Sequence, residues 1–285
     1  MSDDLTHADA RALERSERRH SIEERIGRRY GRKYVRFVVA ALGGIPWVGS
    51  LLSAAASLEG EAEQGDVNEL QRLWIEEHQA KLEQLAMTLA GMMERFEGLG
   101  SDIDSRVQSD EYLALIRSGF RTWDQADTDE KREFVRKLLT NAGAYRLCSD
   151  DLVRLFLAWI DQYHEAHFAV IREIYQRPRS SRAEIWASIH GAHVREDSAE
   201  ADLFKLLIRD LSMGSVLRQE RATDAGGNFL RTQAPKTPRG HASPYMKSAF
   251  DNTERYVLTE LGGQFVHYVM DELVPRVAAT PDGEG

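Results

Sequence analysis

Cysteine is almost absent. Cys148 is the only one in 285 residues, so no disulfide can form within the chain and a reducing compartment suits it. Catalytic signatures are missing too: there is no Walker A loop, no G-x-S-x-G elbow and no dinucleotide fingerprint after a strand. Cys148 has no flanking signature of a nucleophile and is expected to be a structural thiol. No catalytic residue and no cofactor is therefore expected, and no small-molecule substrate is evident. The stretch Met1 to Arg36 is highly charged without an apolar centre and does not read as a secretory signal. Positive charge is also in deficit. With 46 acids against 37 lysines and arginines the net charge is −9, so the chain as a whole is no nucleic-acid polyelectrolyte. Long uncharged runs are lacking, with one exception.

That exception is Phe37 to Leu58, FVVAALGGIPWVGSLLSAAASL. Arg25, Arg28, Arg29, Arg32, Lys33 and Arg36 precede it, and Glu59, Glu61, Glu63 and Asp66 follow it. Its length and flanks suit a membrane-inserting segment. Gly43, Gly44 and Pro46 interrupt it, so one bent span or two short helical arms joined at Gly43-Gly44-Ile45-Pro46 are expected rather than one straight span. Two readings stay open. In the first, Arg28, Arg29 and Arg32 attract an anionic membrane surface while Phe37, Ile45, Pro46, Trp47 and Val48 insert or meet a partner. In the second, the arms form a buried hairpin in a protein core. The expected location is the cytoplasm, at or inserted into the inner membrane face.

Composition, at 42% hydrophobic and 29% charged, supports a real core. After the hairpin, Val67, Leu70, Trp74, Leu82, Leu85, Leu89, Met92 and Phe96 recur at three- and four-residue steps, which predicts a long helix over 66–97. Such a helix closes an internal bundle or pairs with a copy of itself. Tyr112, Leu115, Ile116, Phe120 and Trp123 mark another helix. Asp127-Thr128-Asp129-Glu130 is a capping signal for the next. Ser149-Asp150-Asp151 opens a helix expected to run to Tyr175, and up to Arg177 no strand signal appears.

Beyond Pro178 the character changes. Ser181-Arg182-Ala183-Glu184 and Asp197-Ser198-Ala199-Glu200 have capping-box spacing before two helices. SVLRQ (Ser215 to Gln219) and RYVLT (Arg255 to Thr259) are expected strands, followed by a closing helix from Glu260. The fold class is thus mainly α: an N-terminal helical bundle with an apolar glycine/proline hairpin, then a winged-helix domain with a small two-stranded wing. The expected divisions are a basic segment 1–36, a helical domain 37–147, a winged-helix-like domain 148–275 with a long basic loop 220–252, and a polar tail 276–285.

In a DNA-reading winged helix the third helix presents cations to base edges. Here that helix offers Lys205 and Arg209 among Glu200, Asp202 and Asp210, which is poor chemistry for facing phosphates. The loop carries Arg231, Lys236, Arg239 and Lys247 without an acid from Asn228 to Ser248, so nucleic acid or an acidic partner would meet it there. The HxxH pairs His164/His167 and His190/His193 could chelate a metal, but HExxH spacing is absent and polar helix ends are ordinary homes for histidine; no metal is expected.

From Asp127 to Met270, with the helix TDEKREFVRKLLTNA and the ending LTELGGQFVHYV, the chain resembles the bacterial abortive-infection alpha proteins. The resemblance implies a role in phage defence, as the part that harms the infected cell. It carries over no catalytic residue, and the long basic loop departs from a minimal winged helix. The leading expectation is a defence effector or accessory protein that acts at the inner membrane through its apolar hairpin and docks a protein partner through its winged helix. The alternative is a soluble DNA-binding or adaptor protein whose hairpin is core.

Overall fold

The computed structural model describes residues 32–48, 65–100, 103–145, 148–191, 194–222, 224–226, 228–230 and 248–270, with 65–77 as main chain only. The chain divides into two units, 1–161 and 162–285. Both are mainly helical, and the second adds a small antiparallel sheet.

In the first unit a single 3₁₀ turn, Arg32–Tyr34, enters helix α1, Val35–Leu42. Tyr34, Phe37, Ala40 and Ala41 are buried along one face, while Val35 and Val39 on the other are exposed. The chain then turns at Gly43 and Gly44, and Ile45 and Val48 return to the core. Gly44 is required there by close approach: a Cβ would collide with the Arg117 carbonyl oxygen. The first arm and the start of the second, as far as Val48, therefore turn one side to the core. The rest of the second arm, 49–58, lies outside the described residues.

Helix α2, Gly65–Gly98, has 34 residues, about 51 Å at 1.5 Å per residue. Leu85, Leu89, Met92 and Phe96 from the expected stripe are buried, joined by Met93. A short α3, Asp104–Val107, precedes α4, Asp110–Gln125, whose N-cap Ser109 accepts from the Tyr112 amide. Helix α5, Asp129–Ala144, starts one residue later than the Asp127 signal implies: Thr128 is the cap, and Asp127 pairs with Lys131 at 3.1 Å instead. Phe96 links the elements. Its ring meets Phe37 edge-on at 5.8 Å, Tyr112 at 6.3 Å and Tyr34 at 6.5 Å, so α1, α2 and α4 share one aromatic cluster. The fully buried Tyr112 hydroxyl donates to the Leu139 carbonyl at 2.9 Å, tying in α5, and burial raises its pKa well above the ordinary tyrosine value. Helix α6, Asp150–Gln162, is joined to α3 by the Arg106–Asp150 ion pair.

The helix expected from Asp150 to Tyr175 is in fact two. It breaks at Tyr163 and His164, and α7, Glu165–Gln176, begins anew. His164 is the N-cap, and its amide donates to His167 Nδ1 at 3.1 Å. One histidine pair thus shapes a helix start, and an apolar pattern that stays in phase across the break hid it. The expected domain boundary is 147/148; the two compact units divide at 161/162, the end of α6.

The second unit continues with β1, Ser180–Ser181; α8, Arg182–Ile189; α9, Ala199–Met213; β2, Leu217–Gln219; β3, Arg255–Leu258; and α10, Glu260–Val269. The sheet order is β1-β3-β2, antiparallel throughout, with Ser180 opposite Tyr256 and Arg218 opposite Val257. The sequence reading missed β1, because two residues carry no periodicity and Ser-Ser has little strand preference. Ser181 caps α8 in a reciprocal box with Glu184, whereas α9 is capped by Ser198, not Asp197, which pairs with Arg195. Trp186, Phe204 and Phe250 pack together and Phe168 stacks on Phe265 at 6.3 Å. The polar excursion after β2 thus ends in the core: Ala249 is buried, its amide held by Glu196 at 2.8 Å. Thr259 caps α10 and donates to the Ser215 carbonyl at 2.6 Å.

Candidate functional site

Among the described residues of the second unit, α9, the sheet and the start of the excursion enclose a cleft of about 490 Å³. Helix α9 supplies Ile208, Arg209 and Ser212; β2 and the residues after it supply Leu217, Arg218, Gln219 and Arg221. Tyr256 from β3, Arg182 from α8 and Phe229 complete the lining. Four arginines converge on this space, and no carboxylate lines it.

Three of the four are placed by local structure. Strand alternation buries Leu217 and turns Arg218 outward, where its guanidinium lies over the Phe229 ring at 4.8 Å. The ring is placed by the hairpin after β2, in which the Leu230 amide donates to the Ala222 carbonyl at 2.8 Å and the Asp224 amide to the Asn228 carbonyl at 3.0 Å. Arg182 is the first residue of α8, where a positive charge opposes the helix dipole. Its Nε donates to the Tyr256 hydroxyl at 2.9 Å, and the guanidinium covers that buried ring at 5.5 Å. Arg209 is in the last turns of α9, exposed, with Asp210 beside it at 3.7 Å. Among the described residues Arg182, Arg218 and Arg221 have no carboxylate partner. Glu254 accepts from two lining side chains, Gln219 Nε2 at 2.6 Å and the Tyr256 hydroxyl at 3.3 Å. Guanidinium groups so placed can bind phosphate or carboxylate oxygens in a fork.

Of the cations expected to meet nucleic acid or an acidic partner, Arg209 lines the cleft. Lys205 is turned elsewhere, toward Asp202 and the Glu196 carbonyl, each at 3.4 Å. Arg231, Lys236, Arg239 and Lys247 lie outside the described residues. The outward side of α9 is apolar and acidic: Leu203, Leu206 and Met213 are 49%, 38% and 78% exposed. Arg182, Arg218, Arg221, Phe229 and Tyr256 escaped the sequence reading. Without β1, nothing places the start of α8 beside β3.

The residues expected to meet a membrane are placed differently. Phe37, Ile45 and Val48 are buried. Trp47 is half-buried, its Nε1 donating to Asp124 Oδ1 at 2.7 Å. Pro46 is exposed in the turn, Arg32 opens the 3₁₀ turn, and Arg28 and Arg29 lie outside the described residues. The neighbouring cations Lys33 and Arg36 pair within the unit, with Asp104 and Asp110, each at 2.7 Å. No described helix is long and apolar enough to cross a membrane.

Of the histidines, His164 and His167 form the α7 start and His190 packs on Trp186 at 4.2 Å; His193 is outside the described residues. No group of three metal-binding side chains occurs among the described residues. Compared with family models, curated proteins and solved structures, the chain matches none.

Proposed function

We propose that residues 162–270 are a winged-helix module and that the protein binds nucleic acid through the arginine cleft between α9 and the wing. The order helix, strand, helix, helix, strand, strand, helix, with the first strand paired to the last, supports the winged-helix reading. One observation carries the binding reading: four arginines converge on a cleft that no carboxylate of the described residues lines. In a chain of net charge −9, such a local concentration of cations is the place where a polyanion is attracted rather than repelled. Each guanidinium that neutralises a phosphate releases counterions, so affinity falls with salt at about 0.7 to 0.9 of a log unit per phosphate per log unit of salt.

The test is a titration of the full chain against labelled oligonucleotides by fluorescence anisotropy at several salt concentrations. Replacing Arg182, Arg218 and Arg221 together by alanine should weaken binding about 100-fold at low salt and flatten the salt slope by about 2, one increment per lost phosphate contact. Unchanged affinity in a triple variant with native circular dichroism overturns the proposal.

The other reading is an effector that acts at an anionic membrane, with the phage-defence role implied by the family resemblance. That reading inserts Phe37 to Leu58, including Phe37, Ile45, Trp47 and Val48. Those side chains are engaged inside the first unit, which supports the nucleic-acid reading in its place. The expectation of a hairpin that belongs to the core has the same support as far as Val48.

A further inference from the structure

We infer that the cleft takes an unpaired nucleotide, so that the protein prefers single strands or strand ends to duplex. This rests on the nucleic-acid reading above and specifies the substrate class of the same site. Three features lead to it. The first is size. About 490 Å³ falls in the range of pockets that enclose one small ligand, roughly 300 to 1,000 Å³, and a nucleotide is of that scale while a duplex is not.

The second is the pairing of Phe229 with Arg218. The ring is 47% exposed at the wall of the cleft, with a guanidinium plane over it at 4.8 Å. Flat aromatic and guanidinium surfaces beside backbone-binding cations are how unpaired bases are held, because any base has a face to stack. Inside a duplex those faces are already stacked on neighbouring bases, and only ends or splayed bases offer one. Phe229 lies outside the buried core, and the Arg218 guanidinium is its only ring partner among the described residues.

The third is the outward side of α9. A helix that enters a major groove needs donors toward base edges and no negative charge toward phosphates. Here that side presents Leu203, Leu206 and Met213 with the exposed acids Glu200 and Asp202. It would bring carboxylates against two phosphate backbones, which penalises duplex docking while leaving the cleft beside it free for a strand.

The experiment compares oligo-dT, oligo-U and a blunt duplex of equal length with the full chain at low salt. Single strands should bind at least about tenfold tighter than the duplex, and a preference between oligo-dT and oligo-U identifies the strand as DNA or RNA. Phe229→Ala should lower single-strand affinity about tenfold, within the span measured for one stacked base, and lower duplex affinity by less, with the thermal midpoint unchanged. Phe229→Trp should retain single-strand binding. If the duplex binds as tightly as the strands, and the arginine variant loses both, the unpaired-nucleotide inference is wrong and the nucleic-acid reading stands. If neither form binds, the nucleic-acid reading falls, and this inference with it.

Discussion

Replacing Asp124 by alanine should weaken the first unit by about 4 kcal/mol. Asp124 sits where the apolar N-terminal stretch meets α4 and α2. Its Oδ1 accepts from Trp47 Nε1 at 2.7 Å and faces Lys81 Nζ at 2.5 Å, and Lys81 also donates to the Asp124 carbonyl at 2.9 Å. The ammonium lies 5.6 Å from the Trp47 ring centre, and His78 meets the same ring at 4.8 Å. Removing one partner of a buried pair costs about 3 to 5 kcal/mol, chiefly through the charge left behind. The Lys81 side chain is 29% exposed and that of Asp124 12%, so water recovers part of that charge and the low end applies. The orphaned indole N–H adds about 1 kcal/mol at its half-buried position. Asparagine at 124 still accepts from Trp47 but carries no charge, and should cost about half as much. Urea unfolding followed by tryptophan fluorescence measures both variants as shifts in midpoint at constant slope. A double-mutant cycle with Trp47→Phe should give a coupling of about 1 kcal/mol or more. If Asp124→Ala lies within about 0.5 kcal/mol of wild type, outside the range expected for a buried pair, Trp47 is not anchored to the core. The membrane reading of that stretch would then regain ground.

Two further outcomes concern the second unit. A Cβ at Gly262 would collide with the Val216 carbonyl oxygen, where α10 crosses the entry to β2, so Gly262→Ala should cost about 2 kcal/mol or more by overpacking. An unchanged thermal midpoint would contradict that crossing. The Glu184 carboxyl is held down to about 2, first by the Ser181 amide and then by the Arg255 guanidinium. Because its pKa is depressed on folding, its stabilisation is complete above the ordinary value of 4.5 and fades as pH falls toward about 2. Glu184→Gln should therefore be the less stable protein at neutral pH, with the difference closing across that acid window. A difference that persists unchanged at pH 2 would show that the charge is not its source. The group is exposed, and the effect should be small.

Much of the molecule was settled by the sequence alone, because its information is local. The stripe Leu85, Leu89, Met92, Phe96 returns every three or four residues, which buries one helix face wherever the helix docks. Ser181 and Glu184 close a capping box within four residues, so α8 begins there regardless of its neighbours. The mainly helical class, the long α2 and the strands at SVLRQ and RYVL follow from such patterns. Contacts between distant residues were decided only by tertiary structure. An uncharged stretch looks the same from sequence whether lipid or protein covers it; Phe37 against Phe96 and Trp47 against Asp124 show which surface covers its described part, as far as Val48. Ser180–Ser181 is a strand only because Tyr256 and Arg255 lie opposite it. That same pairing brings Arg182 to the Tyr256 ring and so to Arg218 and Arg209. Pattern fixes which faces a segment must bury, since burial follows each residue's own chemistry. A binding site depends on which cations share one cavity, and that is set by the path of the whole chain.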